Sequence, residues 1–460
     1  GSYPGYLSQC YADVAKDFLS SCWRPDGRPT KKAGGGKASL RIFPGWMMKK
    51  NGWFPGGVLV VALLLRVVWI LRQDNTVNVW TDWWDELACN LVAGRGYVIA
   101  NPFIPSGVPY YSWRPPLFPL FLAGLYYLFG HSYLVAKMGL AVLSTVSVFL
   151  VYLITKEVFG KREACLASLL CAVYPTFIFF TGYLAPETLT MACLLSLVLS
   201  LLVAIARDRP GWWLLSGFWL GTSILCRTIM VMFFVFVLIW LGLMKLEKKK
   251  VWSSFCLLVI ATGLTVSPWL WRNWRLHGVF LLHSTDSGQA LYINNNPYSF
   301  TVEPSGTAFT YDPQEVGRLS ELEATRLLSS RAIAFIRAHP GKFCSYVGRR
   351  FLNFWRPFPF TVSGPGEAYT RWHQILSLGY TGPIFVLALL GAVAARLRWR
   401  RLSLLYFLIF YYSGTYILVR AIIRYRMPLE PFLIILASHG WFYFLEKWKK
   451  LHEKMRFLHW

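Results

Sequence analysis

The sequence is poor in acidic residues: it has 22 Asp and Glu against 47 Lys and Arg, which gives its 460 residues a formal net charge of +25. An excess of this size is typical of proteins that bind nucleic acids. Here, however, the basic residues lie in short clusters between apolar runs, as the positive-inside rule for membrane proteins predicts. We therefore expect no nucleic-acid partner.

The sequence also lacks the short motifs of several enzyme classes. It contains no Walker-type glycine loop, no GxSxG pattern and no HExxH pattern, and its eight histidines are dispersed. Its nine cysteines show no CxxC or Cys/His spacing, and most of them lie in apolar runs. We therefore interpret the cysteines as small apolar residues, and not as a disulfide framework or a zinc site.

Long apolar runs dominate the chain, which is 55% hydrophobic and 17% aromatic. A transmembrane helix needs about 20 mainly apolar residues to cross a hydrocarbon core of roughly 30 Å. Apolar runs lie near residues 53–72, 115–130, 133–155, 163–181, 187–206, 212–226, 228–244, 251–270, 379–395, 402–419 and 428–445. The sequence therefore predicts an all-α polytopic membrane protein and not a soluble globule.

The basic clusters predict the sidedness of the chain, because cytoplasmic loops are enriched in Lys and Arg. If every apolar run crossed the membrane, Lys156 and the later clusters would lie outside, so one run between residues 73 and 156 should not span. The best candidate is 115–130, which is short and begins with a proline-rich turn. We expect about 10–11 transmembrane helices, with residues 73–132, 182–187 and 271–378 on the external face.

The segment 271–378 is too long for a passive connection, and it contains helical stretches near 313–339 and 342–356. A small external helical cap is therefore expected. In order, the predicted parts are a basic cytoplasmic tail (1–52), an N-terminal transmembrane catalytic module (53–270) that includes the external loop 73–132, the cap segment (271–378), C-terminal transmembrane helices (379–445) and a second basic tail (446–460).

Three carboxylates, Asp82, Asp85 and Glu86, follow the first apolar run closely. Asp82 and Glu86 are four residues apart and would share one face of a helix. A carboxylate cluster at a membrane surface can act as a general base or hold a divalent cation through oxygen ligands. The alternative is a solvated loop that only keeps this segment outside.

A further acidic residue, Glu187, lies at the external start of a predicted span, directly after Pro186. An ionisable group in this place is costly unless it faces a partner or a water-filled cavity, which favours a functional site. The alternative is a carboxylate that only stabilises the helix start through the helix dipole.

Five arginines fall near the external ends of apolar runs, where the positive-inside rule disfavours them. They are Arg114, Arg227, Arg272, Arg424 and Arg426. Because arginine suits bidentate phosphate recognition, an anionic lipid head group or a phosphorylated donor is the expected partner. Snorkelling explains each arginine alone, whereas five together favour a binding site. Arg66, inside the first run, either snorkels or faces the bundle.

Several short segments carry a family resemblance through their shared order. They are Asp82 with 87–97, 114–123, 183–187, 225–227, 268–273, 291–297, 339–341 and 424–431. In this order the chain resembles the GT-C membrane glycosyltransferases, in particular the bacterial and archaeal branch of glycosyltransferase family 39. That branch is related to protein O-mannosyltransferases and to the lipid A aminoarabinose transferase. The resemblance covers about residues 53–445 and implies a GT-C type helical bundle.

The resemblance implies an inverting transfer of a sugar from a polyprenyl-phosphate donor to a hydroxyl acceptor on the external face. It points to Asp82 as the base towards the acceptor hydroxyl, with Asp85 as the second candidate. Glu187 matches a second external acidic position, where it would position the acceptor or a metal. The residues identify no certain cofactor; a divalent cation is the open alternative and would use Asp82, Asp85 and Glu187.

By the same resemblance, Arg227 and Arg424 would hold the donor phosphate, with Arg114 and Arg272 as further candidates and Arg426 in the same external group. The expected partners are a polyprenyl-phosphate-linked sugar, a protein, lipid or glycan acceptor, and membrane lipids. The expected location is the cytoplasmic membrane, with the active site on its extracellular or periplasmic face.

A different class of function uses the same residues. In a flippase or transporter of lipid-linked saccharides, the arginines would bind head groups and the carboxylates would couple to protons. A transporter should carry ionisable residues towards the middle of the bilayer and should consist of paired repeat halves. Here the acids collect at one predicted surface and no convincing repeat is visible, which favours the transferase.

Overall fold

A computed structural model describes residues 53–73, 83–104, 106–301, 306–359 and 370–458. Within these ranges the chain is α-helical, and its one β contact is an isolated antiparallel bridge between Ile99 and Tyr110. The predicted all-α class is confirmed. The predicted base Asp82 and the basic tail 1–52 lie outside the described residues.

Each predicted apolar run forms a helix or a pair of helices, and the cap segment is helical as well. The α-helices are α1 (Trp53–Leu71), α2 (Trp84–Val92), α3 (Leu117–Phe129), α4 (Tyr133–Val158), α5 (Lys161–Val173), α6 (Pro175–Phe179), α7 (Glu187–Arg207), α8 (Pro210–Cys226), α9 (Phe233–Leu243), α10 (Lys248–His277), α11 (Ser287–Tyr292), α12 (Pro313–Gly317), α13 (Glu321–Ala338), α14 (Pro340–Trp355), α15 (Arg371–Ala394), α16 (Trp399–Val419) and α17 (Glu430–Leu458). Short 3₁₀ segments occupy Phe180–Gly182, Thr228–Met232, Arg396–Arg398 and Ile423–Leu429.

Five helices in the described ranges are long and apolar enough to cross a membrane: α4, α7, α10, α15 and Arg396–Val419, which contains α16. A sixth candidate is the pair Lys161–Val173 and Pro175–Gly182, whose two parts are bent by 48°. These helices agree with an integral membrane protein. The number is smaller than the predicted 10–11, because several apolar runs form helices that are short or interrupted.

Three apolar helices fall short of the length of a full span: Pro55–Leu71 in α1, α3, and Thr228–Leu243. Helix α3 has 13 residues and at 1.5 Å per residue rises only about 20 Å, less than the roughly 30 Å of a hydrocarbon core. This length agrees with the prediction that the run 115–130 does not span.

The break between α5 and α6 has a cause in the sequence. Pro175 has no N–H group, so the carbonyl of Cys171 loses the donor that a continuous helix would provide. The buried side chain of Arg66 replaces it: its guanidinium donates to the carbonyls of Cys171 and Ala172 at 3.3 and 2.9 Å, and to Ser144 Oγ at 2.8 Å. Arg66 therefore faces the bundle and caps the C-terminus of α5.

Two further buried arginines close helix ends in the same way. Arg350 donates to the last two carbonyls of α16 at 2.6 and 2.9 Å. Arg426 donates to the carbonyls of Phe354 and Arg356, at the end of α14, at 2.7 and 2.6 Å. Because a buried carbonyl without a partner is costly, these contacts fix where α14 and α16 end.

Helix α2 lies between two apolar clusters. Its Trp84 packs with Phe118 of α3 and with Leu184 and Leu189 around the start of α7. Its Leu87 packs in the second cluster, with side chains of the loop before α3 and of the cap helices α12 and α13. The short helix thus joins the cap to the long helices and fixes the chain that follows Asp82.

We predict that Arg66→Met lowers the apparent melting temperature of the detergent-solubilised protein by several degrees, because each buried carbonyl left without a donor costs about 1–3 kcal/mol. The matched control is Arg72→Met, which removes an exposed arginine just beyond the same helix and should leave the melting temperature unchanged. Equal melting temperatures for the two variants would contradict the capping role of Arg66.

Candidate active site

Glu187 is the first residue of α7, where the helix dipole favours a negative charge. Its side chain is only 1% exposed. Arg227 Nη2 donates to Glu187 Oε1 at 2.6 Å, and Arg424 Nε lies 3.2 Å from the same oxygen. One carboxylate therefore joins the start of α7, the end of α8 and the 3₁₀ segment Ile423–Leu429.

A third arginine joins this group around the buried ring of Tyr425. The guanidinium carbons of Arg227, Arg424 and Arg420 lie 5.2, 5.5 and 6.0 Å from the ring centre. We call Arg227, Arg420 and Arg424 the arginine cluster. Burial raises the pKa of Tyr425, but the positive charges of the cluster outweigh this effect and lower the pKa below its ordinary value.

The arginine cluster carries more charge than Glu187 can balance. Among the described residues, three guanidinium groups and one carboxylate leave a surplus of two positive charges. Glu187 Oε2 and Arg227 Nε are both buried and have no hydrogen-bond partner among the described residues. The site can therefore accept one more anionic oxygen at the arginines and one more hydroxyl donor at the carboxylate.

The buried arginines that cap helix ends also hold this site in place. Arg350 fixes the end of α16, directly before Arg420. Arg426, two residues after Arg424, pairs with Glu430 at 3.0 Å and donates to a carbonyl at the end of α14. Arg426 was predicted in the phosphate-binding group, but its guanidinium is buried among these internal partners and lies in a separate network.

Asp85 lies in the first turn of α2 with a different set of partners. Tyr126 O–H donates to Asp85 Oδ1 at 2.6 Å, and Tyr133 O–H donates to Oδ2 at 3.2 Å. His131 Nε2 lies 3.2 Å from both carboxylate oxygens. The contacts of Asp85 are therefore with the end of α3 and the start of α4, and not with the arginine cluster.

Arg114 lies beside the N-terminus of α2. Its guanidinium donates to Asp286 Oδ2 at 2.5 Å and lies 5.3–5.8 Å from the ring centres of Trp83, Trp84 and Trp113. Such distances allow cation–π attraction. Arg114 therefore contacts the residues that follow Asp82 in the chain, and Asp286 of the cap segment holds it there.

Arg272, near the C-terminus of α10, contacts the loop before α3. It donates to the carbonyl of Tyr97 and to Asn273 Oδ1, each at 2.9 Å, and lies 4.7 Å from the ring centre of Trp269. Close by, the buried carboxylate of Glu321 accepts the backbone N–H groups of residues 111 and 112. These contacts fasten the loop 97–113 to α10 and the cap.

The structure thus brings together three of the predicted residues: Glu187, Arg227 and Arg424. It places Asp85, Arg114, Arg272 and Arg426 in other networks, and Asp82 lies outside the described residues. Sequence reasoning missed Arg420. The sequence did contain a signal for it, because Arg420 lies four residues before Arg424, between the apolar runs 402–419 and 428–445.

We predict that Glu187→Gln destabilises the protein by about 3–5 kcal/mol, because removing one partner of a buried pair leaves the arginines uncompensated. The control is Asp208→Asn, which breaks an exposed pair with Lys250 and should cost about 1 kcal/mol or less. Thermal unfolding in detergent measures both variants. Comparable losses would show that the carboxylate of Glu187 does not hold the arginines.

The chain is similar to known proteins in its fold and in part of its sequence. Residues 113–271 match the sequence model of a family described as dolichyl-phosphate-mannose-protein mannosyltransferase. This range includes Arg114, Glu187 and Arg227. No curated protein sequence is significantly similar to the chain.

Among solved structures, the chain is similar to the archaeal oligosaccharyltransferase AglB from Archaeoglobus fulgidus in complex with an inhibitory peptide and a dolichol-phosphate. The TM-score is 0.55 at 15% identity, over 88% of this chain and 52% of that chain. An oligosaccharyltransferase from the same organism in complex with Zn and sulfate matches with a TM-score of 0.51 at 15% identity, over 87% and 50% of the two chains. ArnT from Cupriavidus metallidurans bound to undecaprenyl phosphate matches with a TM-score of 0.42 at 16% identity, over 85% and 78%.

The chain spans about half the length of the oligosaccharyltransferase chains that it matches. At 15% identity, the TM-score of 0.55 shows similarity of fold and not of function. The resemblance predicted from the sequence is therefore confirmed: the chain has the helical fold of the GT-C membrane glycosyltransferases, and its residues 113–271 match the dolichyl-phosphate-mannose-protein mannosyltransferase family.

Proposed function

We propose that the protein is an inverting membrane glycosyltransferase that moves a sugar from a polyprenyl-phosphate donor to a hydroxyl acceptor at the external face of the membrane. The arginine cluster is the observation that carries this proposal. The guanidinium groups of Arg227 and Arg424 pair with the buried carboxylate of Glu187, and that of Arg420 lies against the same Tyr425 ring, so the described residues of this cluster carry two more positive than negative charges. Such a surplus is costly in a low-dielectric environment unless an anion compensates it.

A phosphate is the anion that best fits this cluster. Guanidinium groups bind phosphate oxygens through paired hydrogen bonds, and Arg227 Nε is a buried donor with unused capacity. The cluster lies where the apolar helices α7, α8 and α16 begin or end. A lipid phosphate can bind at such helix ends while its hydrocarbon chain stays in the membrane, which favours a polyprenyl-phosphate donor over a free nucleotide.

The comparisons support the same donor class. The family that matches residues 113–271 is described by a dolichyl-phosphate sugar, and the AglB structure with the similar fold holds a dolichol-phosphate. These are properties of the relatives, and for this chain they support a polyprenyl-phosphate donor together with the charge of the arginine cluster.

In the proposed reaction, Asp82 takes the proton of the acceptor hydroxyl as its oxygen attacks the anomeric carbon of the sugar. The bond from that carbon to the phosphate oxygen breaks, and the polyprenyl phosphate leaves with the electron pair. Arginines that bind the phosphate stabilise this charge, so no acid is needed to protonate the leaving group. Attack opposite the leaving phosphate inverts the anomeric configuration.

The neighbours of Asp82 support its role. Trp84, two residues later, packs with Leu189 of α7 and with Cys226, which directly precedes Arg227. The chain two residues after Asp82 therefore lies beside elements that carry the arginine cluster, which supports Asp82 as the base. Glu187 is a positioning residue in this scheme: one oxygen binds Arg227 and Arg424, and the other can accept a hydroxyl of the donor sugar or the acceptor.

The rival function of moving lipid-linked saccharides across the membrane requires buried ionisable groups that can change partners. Arg66, the charge inside α1, is bound to Ser144 and to three backbone carbonyls. It therefore has a fixed structural role, which favours the transferase.

We predict that Arg420→Gln weakens the binding of dolichyl or undecaprenyl phosphate by about tenfold to a hundredfold, since a hydrogen bond to a charged group contributes about 1.5–3 kcal/mol. Glu187 pairs with Arg227 and Arg424, whereas Arg420 directly follows α16 and lies against Tyr425, so folding should survive its replacement. Binding is measured on the purified full chain with fluorescent lipid phosphates.

The control for this experiment is Arg326→Gln, which removes an exposed arginine of the cap helix α13 and should leave lipid-phosphate affinity unchanged. Equal affinities for Arg420→Gln and the unmodified protein would contradict phosphate binding at the arginine cluster.

We predict that Asp82→Asn lowers sugar transfer by about 10²–10⁴-fold, the contribution of one positioned base, while lipid-phosphate binding stays unchanged. Transfer is followed as polyprenyl phosphate released from a panel of polyprenyl-phosphate sugars, with envelope extracts as acceptors. Asp74→Asn, in the same predicted external segment 73–132, is the control and should retain transfer. Near-normal release by the Asp82 variant would show that another group is the base.

A further inference from the structure

A second group of reactive side chains lies on α2, apart from the arginine cluster. Asp85 and Cys89 are four residues apart and share one face of the helix. His131 faces them from the turn between α3 and α4. Gly130 makes this turn at φ 79° and ψ 162°, a backbone conformation that only glycine adopts readily.

The three side chains already have the spacing of metal ligands. Asp85 Oδ2 lies 3.9 Å from Cys89 Sγ, and His131 Nε2 lies 3.2 Å from Asp85 Oδ1. One ligand atom from each residue lies within 4.8 Å of the other two. Tetrahedral zinc, with bonds of about 2.0–2.3 Å, separates its ligand atoms by about 3.3–3.7 Å. Small side-chain adjustments would therefore complete the site.

The kinds of ligand indicate which cation fits. Mg²⁺ and Ca²⁺ bind oxygen ligands, whereas a thiolate and an imidazole beside one carboxylate are typical of Zn²⁺. Among the described residues, this is the only group of three or more His, Cys, Asp and Glu side chains with such spacing, and it does not include Glu187. The all-carboxylate site predicted from the sequence would instead have suited a hard cation.

The surroundings of Asp85 resemble the outer shell of a metal site. The phenol groups of Tyr126 and Tyr133 donate to its two oxygens, and such hydrogen bonds orient a ligating carboxylate. The same two rings flank the His131 imidazole edge-to-face, at centroid distances of 4.7 and 5.2 Å. The His131 side chain is 46% exposed, which leaves a path for an ion and for a water at the fourth position.

Hydrogen bonding alone leaves Cys89 unexplained. Its thiol is a weak donor, 3.9 Å from the carboxylate. A bound Zn²⁺ would hold Cys89 as the thiolate, which gives the residue a role that hydrogen bonding does not.

We propose that Asp85, Cys89 and His131 form a zinc site that fastens α2 to the turn between α3 and α4. Because α2 begins two residues after Asp82, the site would fix where the loop that carries the predicted base joins the helix. The inference concerns metal binding and does not depend on the transferase activity, so either can fail without the other.

The test is Zn²⁺ binding by the purified full chain in detergent, after chelator treatment and removal of the chelator. Metal analysis should find one Zn²⁺ per chain, and Co²⁺ in its place should give the near-ultraviolet absorption of a thiolate–cobalt bond. Tyr126→Phe should weaken Zn²⁺ affinity about 10–100-fold, as expected for an outer-shell partner. Cys89→Ser should weaken Zn²⁺ affinity further and abolish the thiolate–cobalt band. His131→Gln should weaken the affinity further or abolish binding.

The control variants are Cys344→Ser, an exposed cysteine on α14, and His452→Gln, an exposed histidine near the end of α17. Both should bind Zn²⁺ as the unmodified protein does. Zn²⁺ should also raise the melting temperature of the unmodified protein but not that of the Cys89 and His131 variants. Absence of stoichiometric Zn²⁺, or unchanged affinity in Cys89→Ser, would overturn the proposal.

Discussion

The arrangement of the candidate site depends on one buried carboxylate. Glu187 holds Arg227 and Arg424 through a single oxygen, and in doing so it joins three elements that are far apart in the chain. Without it, the guanidinium groups would repel one another in surroundings that screen charge poorly. With it, the cluster keeps enough positive charge to attract an anion, which a neutral ion pair would not.

The same physical constraint explains the helix breaks around the site. A polypeptide in an apolar environment must pair each carbonyl freed at a helix end, and here buried arginines provide the donors. Arg66, Arg350 and Arg426 each donate to carbonyls at a helix end. Without these donors, the carbonyls would be buried among apolar side chains and unpaired. Interrupted helices thereby remain fixed, and the residues that follow the breaks, Arg420 and Arg424, stay in place.

The sequence predicted the all-α class and the positions of the helices because apolar runs mark them, but it overestimated the number of full spans, since several runs form short or interrupted helices. It predicted that Glu187 shares the external face with five arginines, but it could not show that Arg227 and Arg424 are the ones that pair with it. It could not reveal that Arg426 is used internally, although Glu430 four residues later is compatible with that pairing. Nor could it place His131 beside Asp85, because that contact depends on how α3 and α4 turn at their junction.

Helix α2 carries two of the proposed zinc ligands and packs beside elements that carry the arginine cluster. Its Trp84 packs near the start of α7, and its Asp85 faces the α3–α4 turn, so the helix can link the loop of the predicted base to both. The central claim is that the arginine cluster binds a lipid phosphate. A structure of the full chain with bound dolichyl or undecaprenyl phosphate tests it most directly. The account predicts the phosphate among Arg227, Arg420 and Arg424, and a phosphate at Arg114 or Arg272 instead would contradict it.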